Sequence, residues 1–274
     1  MKKMLIYGRE IRDKIKGQVL ATAKDVDMTM AIIQVGEAPD SESYIRGLRK
    51  FAQETEVGIE FLKFPANSDE ETLLKEIEKL NQNPKITGIM IQEPLPEHIN
   101  ADRLVDKLDP AKDVEGVHNY NLGKLISRQE GVFPSTAQAL ITMLKEFDIP
   151  MSGKKAVVVG RSTIVGHPVA NMMTSEDATV TLCHSRTVDL ASETRNADIL
   201  IVAIGKAEFI TADMVSEGAV ILDAGINFTG EGKLVGDVHP DAKEKASYAT
   251  PVPGGVGLVT VAELFNNLCK LAKA

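Results

Sequence analysis

Residues 156–166 read AVVVGRSTIVG, a run of apolar, mostly β-branched side chains that passes into a glycine, a short polar stretch and a second glycine. β-Branched residues suit strands, and an unbroken apolar run of this length suits a strand covered on both faces, as in a parallel sheet. Gly160, at the end of the run, permits a tight turn. The helix expected over 165–174 then opens with unpaired N–H groups, the arrangement that holds a pyrophosphate in dinucleotide-binding folds. Ser162 stands where G-x-G-x-x-G has its second glycine, so an ordinary βα turn remains an alternative at this point.

The strand expected next, over 179–183, ends in Cys183-His184-Ser185-Arg186, with no acid before Asp189. An NAD site usually carries an acid about 20 residues beyond the first glycine, where it binds the ribose 2′-hydroxyl. A serine and arginines suit a 2′-phosphate instead. Gly160, Arg161, Ser162, Ser185 and Arg186 are therefore candidate cofactor contacts, and NADP is favoured over NAD. The alternative is that Arg161 and Arg186 are solvated surface charges.

Outward from this turn, apolar runs alternate with amphipathic stretches along almost the whole chain, the pattern of βα units and a mainly parallel sheet. After the turn come strands over 199–204 and 220–226, and before it a helix over 136–147. An earlier block gives a helix marked by Ile11, Ile15 and Val19, strands over 30–35 and 59–64, and a helix over 41–56. Ser68 with Glu71 reads as a capping box ahead of Leu73, Leu74, Ile77 and Leu80, and a strand over 86–92 follows. Residues 109–124, rich in Asp, Asn, Gly and Pro, read as a loop or domain connection. A final amphipathic segment covers 259–272. The fold class is α/β in two domains, the second Rossmann-like.

The chain has 274 residues, 43% apolar and 26% charged, which suits two globular domains and leaves no room for disordered or fibrous classes. Its 31 basic and 39 acidic side chains give a net charge of −8, against the basic face that nucleic acids or anionic membranes require. The charged Arg9 and Glu10 come too early for a signal peptide, and the longest apolar stretches are about half a membrane span. Cys183 and Cys269 form neither a disulfide framework nor a zinc pattern, so a reducing, cytoplasmic setting is expected. His98, His118, His167, His184 and His239 have no ligand spacing, and no metal is expected.

Five segments in order carry a more specific signal: Tyr44-Ile45-Arg46, Ile91-Gln92-Glu93-Pro94-Leu95-Pro96, Lys112-Asp113-Val114-Glu115-Gly116, the Gly160 to Gly166 turn, and Thr250-Pro251-Val252-Pro253-Gly254-Gly255-Val256-Gly257. Together they resemble the bifunctional methylenetetrahydrofolate dehydrogenase/cyclohydrolase family over essentially the whole chain. The resemblance implies an N-terminal folate-binding catalytic domain, here 1–118 with the returning helix 259–274, and an NADP-binding domain over 119–258. It also implies a cleft between them and a homodimer. The implied reaction oxidises 5,10-methylenetetrahydrofolate to the methenyl cation with NADP, and a second activity hydrolyses that cation to 10-formyltetrahydrofolate. By the same resemblance Tyr44 stacks on the aminobenzoyl ring, Gln92 positions a catalytic lysine and Glu115 meets the pterin. Pro253, Gly254, Gly255 and Val256 line the folate, and Ile226 lies against the cofactor.

The sequence also departs from the family pattern. The lysine one helical turn after the tyrosine is Leu48 here, which offers neither proton nor charge. Arg46 and Lys50 are each about 200° around a regular helix from it, and Arg49 about 100°. Glu115 replaces an aspartate and reaches one methylene further. Glu93, Ala137 and Leu258 are milder changes near the same motifs. Hydride transfer depends mainly on orientation, whereas hydrolysis draws roughly 10²–10⁴-fold from a placed acid or base. The expectation is a dehydrogenase whose cyclohydrolase activity is weak or absent. The alternatives are a bifunctional enzyme that uses Glu115, Glu93 or Lys50, a catalytically silent folate or NADP binder, and a dehydrogenase for an unrelated small substrate.

Overall fold

The chain opens with β1 (Met4–Leu5) and α1 (Arg9–Asp25), then runs through β2 (Thr29–Val35), α2 (Pro39–Thr55), β3 (Gly58–Phe64), α3 (Glu70–Gln82), β4 (Gly88–Gln92) and α4 (Ala101–Lys107). Next come α5 (Asn119–Ile126) and α6 (Ser135–Glu146), then β5 (Lys155–Val159), α7 (Gly166–Ser175), β6 (Thr179–Cys183), α8 (Leu190–Arg195) and β7 (Ile199–Val202). A single 3-10 turn (Ala212–Met214) precedes β8 (Val220–Asp223), β9 (Asn227–Phe228), β10 (Leu234–Val235), α9 (Pro240–Glu244), β11 (Tyr248–Ala249) and α10 (Val256–Ala272). The computed structural model describes residues 4–37, 39–230 and 232–274, apart from the side chains of 39–43.

Two compact units result, Asp13–Ser135 with Val261–Ala274, and Met1–Arg12 with Thr136–Thr260. The first holds a parallel three-stranded sheet in the order β3-β2-β4. Side chains alternate across a strand. Ala31, Ile33, Val35, Ile89 and Ile91 therefore share one face, in a core with Leu73, Ile77 and Leu80 of α3 and Leu104 of α4. Met30, Ile32, Gln34, Met90 and Gln92 take the other parity. On α2, Ile45, Leu48, Phe51, Ala52 and Thr55 recur at helical spacing and are all buried, while Arg46, Arg49 and Lys50 are exposed. The end of α10 joins this unit: the Phe265 ring lies 4.8 Å from that of Phe51.

The second unit holds a parallel six-stranded sheet, ordered β1-β11-β8-β7-β5-β6, and an antiparallel β9-β10 pair. The strand sequence is the doubly wound pattern, with Val157, Val159, Leu200, Val202 and Ile221 in one buried cluster. Pairing of Met4 with Tyr248 places β1 at the edge of this sheet.

Some local expectations need correction. The α3 cap is Asp69, whose carboxylate accepts from Thr72 N at 2.7 Å, while Ser68 N donates to Pro65 O at 3.0 Å. The stretch 109–124 is not all loop, because the His118 ring accepts from Tyr120 N at 3.0 Å and starts α5. The strand expected over 220–226 stops at Asp223, where its side chain turns the chain by accepting from Gly225 N at 3.1 Å. The helix start placed at Ser41 falls later than the helical backbone, which begins at Pro39; the Ser41 side chain lies outside the described residues.

Phe51 and Phe265 are both fully buried. Phe265→Ala is expected to lower stability by about 3–5 kcal/mol, read as a drop in the urea midpoint. A loss within 1 kcal/mol would show that α10 does not complete this core.

Candidate functional site

Gln92 is the last residue of β4 and pairs across the sheet with Gln34. Both are buried, and ligands of open α/β sheets gather at such carboxyl ends of strands. Gln34 Nε2 donates to Gly36 O at 3.2 Å and Gln92 Nε2 donates to Glu93 O. Gln92 Oε1 has no partner although it is enclosed. An orphaned buried acceptor costs about 1–3 kcal/mol, so a ligand donor at this atom would recover that cost.

The segment 112–121 lies against the edge of β4. Ile89 N donates to Lys112 O at 2.7 Å, and Ile89 bridges Asp113 in parallel. The fully buried Asp113 carboxylate accepts from Gly116 N at 2.9 Å, His118 N at 2.8 Å and Asn121 Nδ2 at 2.8 Å, which folds the loop around itself. Gly116 has φ +70°, and a Cβ there would stand 2.4 Å from the Phe133 carbonyl carbon. Asn267 of α10 donates to both Val114 O at 3.1 Å and Phe133 O at 2.9 Å. Glu115 is held between these anchors, with Oε2 accepting from Ile91 N at 3.3 Å.

Electrostatics sets the character of this carboxyl. Burial pushes its pKa up to about 8, and the Asp113 and Glu93 charges add to the rise, against a small opposing effect of the Ile91 N–H. Tyr44, one helical turn before Leu48, is pushed up as well, by burial first and by the Glu115 charge second. Leu48 is fully buried. Lys112 Nζ donates to Leu80 O at 2.8 Å and Asn83 O at 2.7 Å, and the Arg49 guanidinium lies 4.4 Å over the Phe61 ring. Among the described residues, no cation offsets Glu115. Tyr44, Gln92 and Glu115 thus come together in one unit.

The other candidates lie in the second unit. Gly160 has φ +119°, and a Cβ on it would be 2.1 Å from Ala203 O; one on Gly166 would be 2.1 Å from Gly160 O. The β5–α7 turn is therefore closed by two backbone approaches that only glycine permits. Ser162 Oγ accepts from Val165 N at 3.2 Å and Gly166 N at 3.4 Å, so this serine braces the turn from within. Gly160 N donates to Cys183 O at 2.9 Å, which sets the Arg161 turn beside the Ser185–Arg186 turn. In that second turn His184 Nδ1 accepts from Arg186 N at 3.1 Å. Arg161, Ser185 and Arg186 are exposed, and Ile226 is 61% exposed after β8. An open backbone cradle flanked by exposed arginines and a serine fits a phosphorylated dinucleotide.

Pro253, Gly254 and Gly255 form a turn against the segment that follows β1: Gly8 N donates to Gly254 O at 2.9 Å, and Gly254 has φ +104°. Val256 is the first residue of α10, which starts three residues before the expected position. Among the described residues, no group of His, Cys, Asp or Glu could hold a metal, and no helix is long and apolar enough to cross a membrane. Asp113 and Asn267 also build the site, through bonds to Gly116, His118 and Asn121 and to Val114 and Phe133. The Asp113-Val114-Glu115-Gly116 motif held a signal for the first; none marks the second.

Residues 6–115 match the family model for the tetrahydrofolate dehydrogenase/cyclohydrolase catalytic domain, and 134–274 that for its NAD(P)-binding domain. The chain is 54% identical over 265 residues to bifunctional protein FolD 2 of Syntrophomonas wolfei, covering 97% of each. It is similar to the crystal structure of the FolD methylenetetrahydrofolate dehydrogenase/cyclohydrolase of Campylobacter jejuni, with a TM-score of 0.96 at 38% identity and 99% of each chain covered. The Trypanosoma brucei methylenetetrahydrofolate dehydrogenase-cyclohydrolase, solved with NADP cofactor and an inhibitor, superposes with a TM-score of 0.94 at 33% identity, over 100% of this chain and 98% of that one.

The raised Glu115 pKa has a signed consequence for stability. The folded carboxyl titrates at about 8 against an ordinary 4.5, so it contributes stability that is complete below pH 4.5 and is lost as pH rises through 8. Glu115→Gln, which is neutral throughout, is expected to flatten the fall in urea midpoint between those limits. Parallel pH profiles of the two proteins would overturn the assignment.

Proposed function

Because the chain belongs to the tetrahydrofolate dehydrogenase/cyclohydrolase family, we propose that it oxidises 5,10-methylenetetrahydrofolate to 5,10-methenyltetrahydrofolate with NADP, with the cyclohydrolase step weak or absent. The observation that carries this reading is the charge balance around Glu115, whose carboxyl pKa is raised by burial and by anionic neighbours, together with a buried leucine at position 48.

Bound NADP would accept a hydride from the methylene carbon. The chain's own part is to bind, align and exclude water. Tyr44 offers a ring face for the aminobenzoyl group, Gln92 Oε1 an acceptor without a partner, and Glu115 a polar end for the pterin. These roles require orientation more than proton movement, and orientation supports hydride transfer. The Gly160 cradle with Arg161, Ser162, Ser185 and Arg186 would hold the phosphates, with Ile226 beside the nicotinamide and Pro253, Gly254, Gly255 and Val256 along the folate.

Hydrolysis asks for more. Water must lose a proton as it adds to the methenyl carbon, and a proton must reach N5 as the carbon–nitrogen bond breaks with its electron pair. A lysine in the position of Leu48 would serve that exchange, and leucine does not. The fully bifunctional reading is favoured by the names of the relatives, and in it Glu115, titrating at about 8, is the group able to take and return the proton. We also read the protein as a cytoplasmic homodimer. The free, buried state of both cysteines supports the reducing compartment, and the family resemblance supports the dimer.

Leu48→Lys separates the two readings. If the missing cation limits hydrolysis, the variant clears methenyltetrahydrofolate roughly 10²-fold faster than the parent, with the NADPH-forming rate within a few-fold. An unchanged clearance rate would show that Leu48 is not what limits the second activity.

A further inference from the structure

Asp223 and Asp237 are two buried carboxylates that the proposed chemistry does not use. Asp223, at the end of β8, accepts from Gly225 N at 3.1 Å, Asp237 N at 2.9 Å and Val238 N at 3.2 Å, and Lys243 Nζ stands 2.7 Å from it. Asp237 has no charged side chain of its own among these contacts. Its Oδ2 accepts from Ile204 N at 2.7 Å and Gly205 N at 3.1 Å, and its Oδ1 from Lys206 N at 2.8 Å and Asn227 Nδ2 at 2.9 Å. One carboxylate thus gathers three consecutive backbone donors of the loop after β7 and the side chain that follows Ile226 in the loop after β8.

Both loops leave the carboxyl ends of adjacent strands, where a dinucleotide binds. The first of them abuts the phosphate turn, since the missing Cβ of Gly160 would fall on Ala203 O. The second presents the exposed Ile226. Space around the carboxylates is committed: a Cβ on Gly225 would come within 2.3 Å of Asp237 Cγ, and one on Gly236 within 1.9 Å of Asp223 Oδ2. The backbone is shaped to bring these acids under both loops.

We propose that Asp237 is a positioning residue for NADP, fixing the loop after β7 and the Ile226 loop to one anchor so that the phosphate turn and the nicotinamide wall keep their spacing. This rests on the NADP reading given above. Asp223 and Lys243 hold Asp237 in place by binding its own backbone and the end of β8.

The chemistry makes Asp237→Asn a severe change of almost no volume. Each carboxylate oxygen accepts twice, and the amide turns one of them into a donor facing donors. Asn227→Ala removes one partner from the exposed side and spares the core. The measurement is the calorimetric Kd for NADP of parent, D237N and N227A, together with the KM for methylenetetrahydrofolate and the thermal midpoint. The expected result is a rise in NADP Kd of about tenfold or more in D237N and a smaller rise in N227A, with the folate KM unchanged. Lower thermal midpoints with unchanged NADP Kd in both variants would make the network a brace only and overturn the proposal. Should D237N fail to fold, an unchanged Kd in N227A overturns it and a raised one supports it. A parent protein that does not bind NADP removes the cofactor reading and this inference together, whereas a parent that binds while both variants match it removes the inference alone.

Discussion

Glu115 sits where a strand end, a folded loop and a helix converge, and its charge is repelled by Asp113 and Glu93. Each feature around it follows from holding that carboxyl in place. Asp113 spends its oxygens on the loop, Gly116 lets Phe133 approach, and Asn267 ties both segments to the last helix. A half-buried acid beside other carboxylates and without a counter-charge holds its proton more tightly than it would in water. Leu48, one helical turn after Tyr44, is fully buried hydrocarbon. Burial of a leucine contributes about 1.5–3 kcal/mol, so the fully buried Leu48 stabilises its helix in this core.

In the six-stranded unit the corresponding device is close backbone approach. Gly160 and Gly166 bring chain segments nearer than a Cβ allows, and Asp223 and Asp237 satisfy the N–H groups that such turns expose. Buried donors left unpaired would each cost about 1–3 kcal/mol, which explains why acids and glycines occur here together. The exposed Arg161, Ser185 and Arg186 project from this rigid base. One unit holds the carboxyl with the raised pKa and the other the glycine-closed β5–α7 turn.

Much of this is legible in the sequence, where the signal is local. Apolar runs such as 156–159 mark strands through their own side chains, and Gly160 marks the turn through its lack of one. The Tyr44, Gln92 and Glu115 motifs named the residues that converge. Less legible were features set by distant partners: Asn267 meets Val114 across 153 positions, and Asp237 meets Lys206 across 31. Caps were ambiguous because Ser68 and Asp69 are both capable, and only the Thr72 N–H decides between them. His118 is an uncommon cap, so α5 was hidden in a stretch rich in turn formers. Leu48 was visible as a substitution, but its complete burial and the diversion of Lys112 and Arg49 were not.

A site that moves a hydride well and a proton poorly reveals itself in the fate of the methenyl product. In stopped-flow mixing of the purified protein with 5,10-methylenetetrahydrofolate and NADP, NADPH and methenyl absorbance are followed separately. The expected result is that NADPH forms while methenyl accumulates and then decays at its rate in buffer alone. Methenyl that disappears as fast as it forms would contradict it, and would mean that another group, with Glu115 foremost, carries the proton.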